Sequence, residues 1–157
     1  MKDPKGIEQI TIFLYIINDF FFDMRVLFVC MGNRGRSQIA EAYFNAYYSP
    51  NHHAISAGLH AETYNHNPVP QSVKDIMLED GIDISHQRSK QLEEIMLDAV
   101  EKIVVFCPKE SWPTYLLLSN KTQYWPSQEN LEQAGIDALR KTREEIKSQV
   151  RTMPFPQ

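Results

Sequence analysis

The residues of this sequence that could do chemistry lie close together, between Cys30 and Ser37. The stretch reads C-M-G-N-R-G-R-S, a cysteine followed by five residues, an arginine and a serine. Five residues can fold around a tetrahedral oxyanion with their backbone N–H groups pointing inward, and a following helix adds the positive end of its dipole. Gly32 and Gly35 permit the backbone angles that such a curled loop needs. The spacing therefore predicts an anion-binding loop formed by Met31, Gly32, Asn33, Arg34, Gly35 and Arg36.

Cys30 and Arg36 are the side chains that would act on the bound anion. Hydrogen-bond donors around a cysteine stabilise its thiolate, which is the nucleophilic form. The planar guanidinium of Arg36 can bind two oxygens at once, and the Ser37 hydroxyl can donate to the sulfur and ease its later departure. The alternative is a buried cysteine at the end of a strand, with Arg36 in solvent. An apolar strand before the stretch and an amphipathic helix after it favour the first interpretation.

Predicted strands and helices alternate along the chain, and they must position this loop. Residues 26–29 and 103–106 are typical of buried parallel strands, and 53–57 and 123–125 are weaker strand candidates. The spacing predicts helices over 37–47, from Asn67 and Pro68 to a stop at Gly81, and over 90–100, 109–119 and 127–151. The alternation predicts an α/β fold, a three-layer sandwich with helices on both faces of a parallel sheet. Ligands of such folds bind at the carboxyl ends of the strands.

Composition narrows the class of protein. The chain has 157 residues, of which 43% are apolar and 23% are charged, so disordered and collagen-like classes are excluded. A net charge of −4 argues against a nucleic-acid partner. Cys30 and Cys107 are too few for a disulfide scaffold, which favours the cytoplasm. The histidines have no metal-ligand spacing, so we expect neither a metal nor another cofactor.

Residues 1–23 differ from the rest of the chain. Residues 10–22 are strongly apolar but contain Asn18 and Asp19, and they are shorter than the ~20 residues that a bilayer span needs. No small-residue cleavage site of a signal peptide follows, so we expect no stable membrane insertion. The segment could be an extra helix packed on the domain, a product of an upstream start codon or a membrane-surface anchor. The predicted division is an extension over 1–23, an α/β domain over 24–151 and a tail over 152–157.

The sequence VLFVCMGNRGRSQIAEAYF resembles the signature of the low-molecular-weight protein tyrosine phosphatase family and its arsenate reductase relatives. Further matches follow in order, with SAG at 56–58, GIDISHQRSKQL at 81–92 and IVVFCPKES at 103–111. The resemblance runs from Arg25 to about Val150. It implies a four-stranded parallel sheet flanked by helices.

The resemblance also implies a role for each matching loop residue. Cys30 would become a phosphocysteine, Arg36 would clamp the phosphate, and Ser37 would be the partner of the thiolate. Asn33 would hold the loop in shape. Gly35 stands where many members carry a second cysteine. This chain would therefore lack a disulfide that protects the nucleophile.

Phosphomonoester cleavage also needs a proton for the leaving oxygen and a base for the attacking water. The family supplies both from an Asp-Pro loop after the last strand, and this sequence has no Asp-Pro there. Relatives with a tryptophan in that strand carry the catalytic aspartate four residues later. That register puts Glu129 at the acid position, with Asn130 in place of the usual proline. The alternative role of Glu129 is to stabilise the N-terminus of the last helix.

Three functions fit these residues. The first, which the sequence favours, is hydrolysis of a phosphotyrosine protein or a small aryl phosphate through a phosphocysteine. The second is arsenate reduction, because the Arg-Ser-Gln sequence at 36–38 resembles reductases more than the Arg-Ser-Pro of phosphatases. Cys107 matches either the second reductase cysteine or a core cysteine of the phosphatases. No third cysteine exists, so a reductase would need an external thiol.

The third function is a phosphate-binding module that has lost its acid. No aromatic residue follows Glu129 closely enough to replace those that flank the Asp-Pro loop of phosphatases. Tyr64, His60 and Trp112 are the candidates for lining the site instead, and the alternative for each is an ordinary surface or core position.

Overall fold

A single parallel sheet forms the centre of the computed structural model, which describes residues 6–13, 23–127, 131 and 133–154. The strand order is β2-β1-β3-β4. The strands are β1 (Arg25–Cys30), β2 (His53–Gly58), β3 (Lys102–Val105) and β4 (Thr122–Tyr124). β1 lies between β2 and β3, with Cys30 opposite Gly58 and Val29 opposite Val105. The predicted α/β class with a four-stranded parallel sheet is confirmed.

Among the residues described from 23 onward, four α-helices accompany the sheet. They are α1 (Arg36–Tyr48), α2 (Gln71–Glu79), α3 (Thr114–Leu118) and α4 (Ile136–Arg151). Short 3-10 segments lie at Glu62–Tyr64, Glu94–Ala99 and Lys109–Ser111. α1 packs against β1, β2 and α4, and α4 also packs against α2. The loop between β1 and α1 therefore stands at the carboxyl edge of the central strand.

The core explains why β1 is so apolar. Val26, Leu27, Phe28 and Val29 are all 0% exposed, as expected of a central parallel strand that is covered on both faces. The Phe28 ring lies near three aromatic rings, with centroid distances of 6.0 Å to Phe44, 6.3 Å to Phe106 and 6.0 Å to Trp125. This packing fixes the end of the strand that carries Cys30.

The start of α2 differs from the prediction because of the prolines that precede it. α2 begins at Gln71 after Pro70, so the predicted N-cap at Asn67 is wrong. Val69 precedes a proline, which disfavours helical angles, and Pro68 instead pairs with Arg88 in an isolated antiparallel bridge.

The later helices are also shorter than the sequence predicts. The predicted helix over 90–100 is only a 3-10 segment, Glu94–Ala99. The predicted helix over 109–119 divides into Lys109–Ser111 and α3, with Pro113 as the N-cap of α3. The long helix predicted from residue 127 begins at Ile136, after Gly135 with φ of 87°.

The described part of the N-terminal extension is a helical segment over 6–13. Its apolar side chains are exposed, with exposed fractions of 56% for Ile7, 60% for Ile10, 56% for Ile12 and 63% for Phe13. These values differ from those expected of an extra helix packed on the domain. Within the described ranges, no helix combines the length and apolar character needed to cross a membrane. The domain boundaries remain predictions.

Candidate active site

A cavity of about 370 Å³ opens at the carboxyl end of β1. Cys30 is the last residue of β1, and Arg36 is the first residue of α1. Five of the six residues predicted to bind the anion line this cavity with Cys30, and His60 and Tyr64 come from the segment after β2. The lining consists of Cys30, Met31, Gly32, Arg34, Gly35, Arg36, His60, Tyr64, Leu131 and Gln133. The stretch from Cys30 to Arg36, called the cup below, therefore curls around one cavity, and its binding of an anion stays a prediction.

The carbonyl groups of the cup bond outside the cavity. The Cys30 carbonyl accepts from the backbone N–H of Leu59 at 2.9 Å, and the Met31 carbonyl accepts from that of His60 at 2.8 Å. The Asn33 carbonyl accepts from Ser89 Oγ at 2.9 Å. In a trans peptide the C=O and the next N–H point in opposite directions. The N–H groups of Met31, Gly32 and Arg34 therefore point away from these three bonds, and N–H groups of such a loop suit an anion.

Asn33 does not line the cavity but is fully buried beneath it. Its φ of 53° is left-handed, a region that asparagine tolerates. Its Nδ2 donates to Ser37 Oγ at 2.7 Å and to Ser56 Oγ at 2.9 Å. Its Oδ1 accepts from the Lys90 backbone N–H at 2.8 Å and from Gln38 Nε2 at 3.0 Å. Asn33 thus ties the loop to α1, to β2 and to the segment around residue 90.

Ser37 lies beside the sulfur of Cys30. The distance from Cys30 Sγ to Ser37 Oγ is 2.9 Å, and both residues are buried. When Cys30 is a thiolate, which has no hydrogen of its own, the Ser37 hydroxyl donates to the sulfur while it accepts from the Asn33 amide. A donor in this position stabilises a thiolate more than a thiol.

Ser56 receives the second Asn33 hydrogen and passes its own to Glu41. The Ser56 hydroxyl donates to Glu41 Oε2. Burial raises the pKa of Glu41, and the Lys90 ammonium, whose Nζ lies 3.9 Å from Glu41 Oε2, opposes that shift. Sequence analysis missed this carboxylate. Its one signal is that Glu41 lies one helical turn after Ser37, on the same face of α1.

Gly58 at the end of β2 allows the loop to approach the sheet. A Cβ at this position would lie 2.8 Å from each of three backbone atoms, Asn33 N, Gly32 C and Met31 O. No real side chain fits this gap, so glycine is required here.

Arg36 is held over the cavity by groups from two other segments. It is 8% exposed, and its Nη1 donates to Ser127 Oγ at 3.0 Å and lies 3.5 Å from the Phe106 carbonyl oxygen. Glu129, the predicted general acid, lies outside the described residues. Among the described residues that line the cavity, none carries a carboxylate.

A family model described as low molecular weight phosphotyrosine protein phosphatase matches residues 25–118. The chain belongs to this family. An arsenate reductase of Halalkalibacterium halodurans is 30% identical over 133 residues, which cover 81% of this chain and 92% of that protein. The low molecular weight protein tyrosine phosphatase of T. tengcongensis has 28% identity and a TM-score of 0.72, over 82% of this chain and 96% of that one. An arsenate reductase in its phosphate-binding state has 25% identity and a TM-score of 0.71, over 83% and 95%.

The remaining candidate site residues of this phosphatase-family chain fall in two groups, those that line the cavity and those that lie in the core. His60 and Tyr64 line the cavity. Trp112 is instead a core residue, 8% exposed, whose Nε1 donates to the Cys107 carbonyl at 2.9 Å. Cys107 is 1% exposed. Leu131 and Gln133 also line the cavity, although the sequence predicts a long helix over this region and no site residue in it.

Proposed function

We propose that this protein is a cysteine-dependent arsenate reductase that uses an external thiol. The observation that carries the proposal is the buried pair of Cys30 Sγ and Ser37 Oγ, 2.9 Å apart, at the base of a cavity that Arg36 also lines. This arrangement supplies a sulfur nucleophile with a hydroxyl beside it, a fork of donors for two oxygens and the backbone N–H groups of the loop. Those three elements suit a tetrahedral oxyanion.

The need for a proton donor distinguishes arsenate from a phosphate ester. The bridging oxygen of a phosphomonoester must receive a proton from the enzyme when the alcohol leaves. Arsenate carries exchangeable protons on its own oxygens, so one of them can leave as water without a carboxylic acid beside it. The described lining of the cavity offers cations, amides and an aromatic ring but no carboxylate. Reduction of arsenate therefore requires less of the site than hydrolysis of a phosphate ester does.

The proposed reaction begins when the Cys30 thiolate attacks arsenic(V). A sulfur–arsenic bond forms, and one arsenic–oxygen bond breaks with release of water. An external thiolate then attacks Cys30 Sγ, the sulfur–arsenic bond breaks, and its electron pair stays on arsenic, which leaves as arsenite. The product on the protein is a mixed disulfide at Cys30, which a second thiol reduces. One arsenate is reduced for every two thiols that are oxidised.

Cysteine content supports an external reductant. The whole sequence has only Cys30 and Cys107, so an internal relay through three cysteines is excluded. Cys107 is buried two residues after the end of β3. A small thiol or a dithiol protein must therefore restore Cys30. Such a reductant belongs to a reducing compartment, and we propose the cytoplasm.

Gln38 provides a further link to the reductases. The relatives whose similarity covers most of the chain include the arsenate reductase of Halalkalibacterium halodurans, and the Arg-Ser-Gln sequence at 36–38 resembles that group. Gln38 is fully buried, and its Nε2 donates to the Asn33 carbonyl at 3.0 Å and to the Arg88 carbonyl at 2.9 Å. Proline at this position could make neither bond.

The second candidate function is hydrolysis of an aryl phosphate. It is favoured by the family model and by the similarity to the T. tengcongensis phosphatase. In that reaction Cys30 would form a phosphocysteine, and Glu129 would protonate the leaving oxygen and activate water. Glu129→Gln then lowers the rate of aryl-phosphate hydrolysis and removes one limb of its pH profile. An unchanged rate and profile would rule out this role of Glu129.

One assay panel on the wild type and Cys30→Ser tests both candidates. Arsenate turnover is measured with glutathione and, separately, with thioredoxin and its reductase, and hydrolysis of p-nitrophenyl phosphate is measured with vanadate as inhibitor. We expect arsenate turnover that Cys30→Ser abolishes. Vanadate-sensitive hydrolysis without arsenate turnover would favour the phosphatase. Stabilisation by phosphate without turnover in either assay would instead identify a binding module.

A further inference from the structure

The Arg34 side chain covers the ring of Tyr64 at the rim of the cavity. Its guanidinium carbon lies 4.3 Å from the ring centroid, a cation–π distance. Both residues line the cavity, and Tyr64 is 37% exposed. A Cβ on Gly32 would meet the Arg34 stem at 3.6 Å and the Tyr64 ring edge at 3.7 Å. The two side chains therefore lie together over the same point of the loop.

The position of Arg34 decides which ring face it covers. Arg34 belongs to the loop between Cys30 and Arg36, whereas Tyr64 belongs to the 3-10 turn after β2. The guanidinium must therefore meet the face of the Tyr64 ring that looks toward the loop. A substrate with an aromatic group beside its phosphate would stack on that same face. In this structure a residue of the protein already occupies it.

We propose that the Arg34–Tyr64 pair restricts the cavity to small inorganic oxyanions. By covering the tyrosine face, Arg34 removes the surface on which an aryl group would bind, while its charge still favours any anion. The pair thus acts on specificity and not on the sulfur chemistry of Cys30. This inference deepens the proposed function and rests on oxyanion binding in the cup.

The test compares two anions that share a tetrahedral head. Inorganic phosphate and phenylphosphonate are titrated as protectants of Cys30 against iodoacetamide, and peptide mapping by mass spectrometry separates Cys30 from Cys107. Loss of the Arg34 charge weakens both anions, so the informative quantity is the ratio of their protection constants. We expect Arg34→Ala to shift this ratio about tenfold toward phenylphosphonate, the order of one aromatic stacking contact.

A double mutant distinguishes stacking on the Tyr64 ring from the effect of the extra space that alanine leaves at position 34. If the gain comes from stacking on Tyr64, Arg34→Ala combined with Tyr64→Ala returns the ratio to near the wild-type value. The matched control is Lys109→Ala, because the Lys109 ammonium lies 5.9 Å over the ring of Trp112, and neither residue lines the cavity. We expect this variant to keep the wild-type ratio.

The outcomes distinguish this inference from the proposed function. Absence of phosphate protection in the wild type would overturn both. Protection by phosphate with a ratio that Arg34→Ala leaves unchanged would overturn the inference alone. A gain that persists in the double mutant would also overturn it, because added space would then be the cause.

Discussion

Asn33 Nδ2 donates a hydrogen bond of 2.7 Å to Ser37 Oγ. The same oxygen lies 2.9 Å from Cys30 Sγ, and the hydroxyl donates to the sulfur when Cys30 is a thiolate, which has no hydrogen of its own. Asn33 therefore positions the hydroxyl beside the nucleophile without touching the sulfur. The amide nitrogen has only donors, so the Asn33–Ser37 bond runs from Asn33 to Ser37.

Ser37→Ala removes the donor to the sulfur. We expect the rate of Cys30 alkylation by iodoacetamide, and with it the turnover of arsenate, to fall about 10- to 100-fold, since a hydrogen bond to a charged group contributes about 1.5–3 kcal/mol. Ser111→Ala is the matched control, because the Ser111 hydroxyl donates to the Pro108 carbonyl at 2.6 Å and the residue does not line the cavity. Equal alkylation rates in wild type and Ser37→Ala would contradict this role.

Gly58→Ala tests the close approach of the loop to β2. The new Cβ meets three backbone atoms at 2.8 Å, so the loop must shift. We expect a loss of about 1–3 kcal/mol in the free energy of unfolding, as in overpacked cores, together with weaker phosphate protection of Cys30. Both are measured by urea titration and alkylation.

Gly81→Ala is the control for backbone strain alone. Gly81 has φ of 75°, and nothing lies within 4 Å of the position of its Cβ. We expect a cost of about 1 kcal/mol at Gly81 and no effect on phosphate protection. If Gly58→Ala left the protection of Cys30 equally intact, the contact between β2 and the loop would not position the cup.

Glu41→Gln alters the pH dependence of stability. Burial raises the pKa of Glu41 from 4.5, so the folded protein holds this proton more tightly than the unfolded chain does. The corresponding stability is fully present below pH 4.5 and is lost as pH rises through the folded pKa. Glutamine does not titrate and still offers an oxygen to Ser56. In urea titrations we expect the free energy of unfolding of Glu41→Gln to rise relative to that of the wild type as pH rises above 4.5.

Glu79→Gln is a control of opposite sign. Hydrogen bonds from Arg140 and Arg143 lower the pKa of Glu79 below 4.5. The contribution of Glu79 to the free energy of unfolding is therefore present above pH 4.5 and is lost as pH falls through the pKa of Glu79 in the folded state. In the acid range this variant should approach wild-type stability as pH falls. The same sign in both variants would mean that burial does not dominate at Glu41.

Cys107→Ala tests whether the second cysteine takes part in the reduction of arsenate. With an external thiol attacking Cys30, we expect arsenate turnover within about threefold of wild type and a stability loss of about 1 kcal/mol for the small cavity left behind. The measurement is steady-state turnover with glutathione and with thioredoxin. Loss of turnover in a variant that stays folded would show that Cys107 supplies electrons to Cys30.

Local sequence patterns were sufficient to predict the cup and the strands beneath it. The run from Val26 to Val29 is apolar at every position, and the spacing from Cys30 to Arg36 is a feature of one contiguous segment. Both can therefore be read without knowledge of the fold. The boundary of α2 was harder, because Pro70 acts on the residue before it and Pro68 is drawn into a bridge with Arg88.

The support of the cup could not be predicted from the sequence. Ser56 and Lys90 are ordinary polar residues on two different segments, and only the fold brings them to Asn33 and brings Glu41 to Ser56. The Arg34–Tyr64 contact likewise joins residues from two loops. Contacts of this kind depend on register and chain reversal, which periodicity does not encode.

The placement of β1 between β2 and β3 makes the site inseparable from global folding. Its walls come from the end of β1, the loop to α1 and the segments that follow β2 and β4, so no isolated fragment carries it. Any oxyanion that binds in the cup therefore stabilises the folded protein. The gain in the free energy of unfolding grows with the logarithm of the oxyanion concentration. A phosphate-containing buffer will consequently raise the melting temperature, and thermal shift becomes a direct gauge of occupancy.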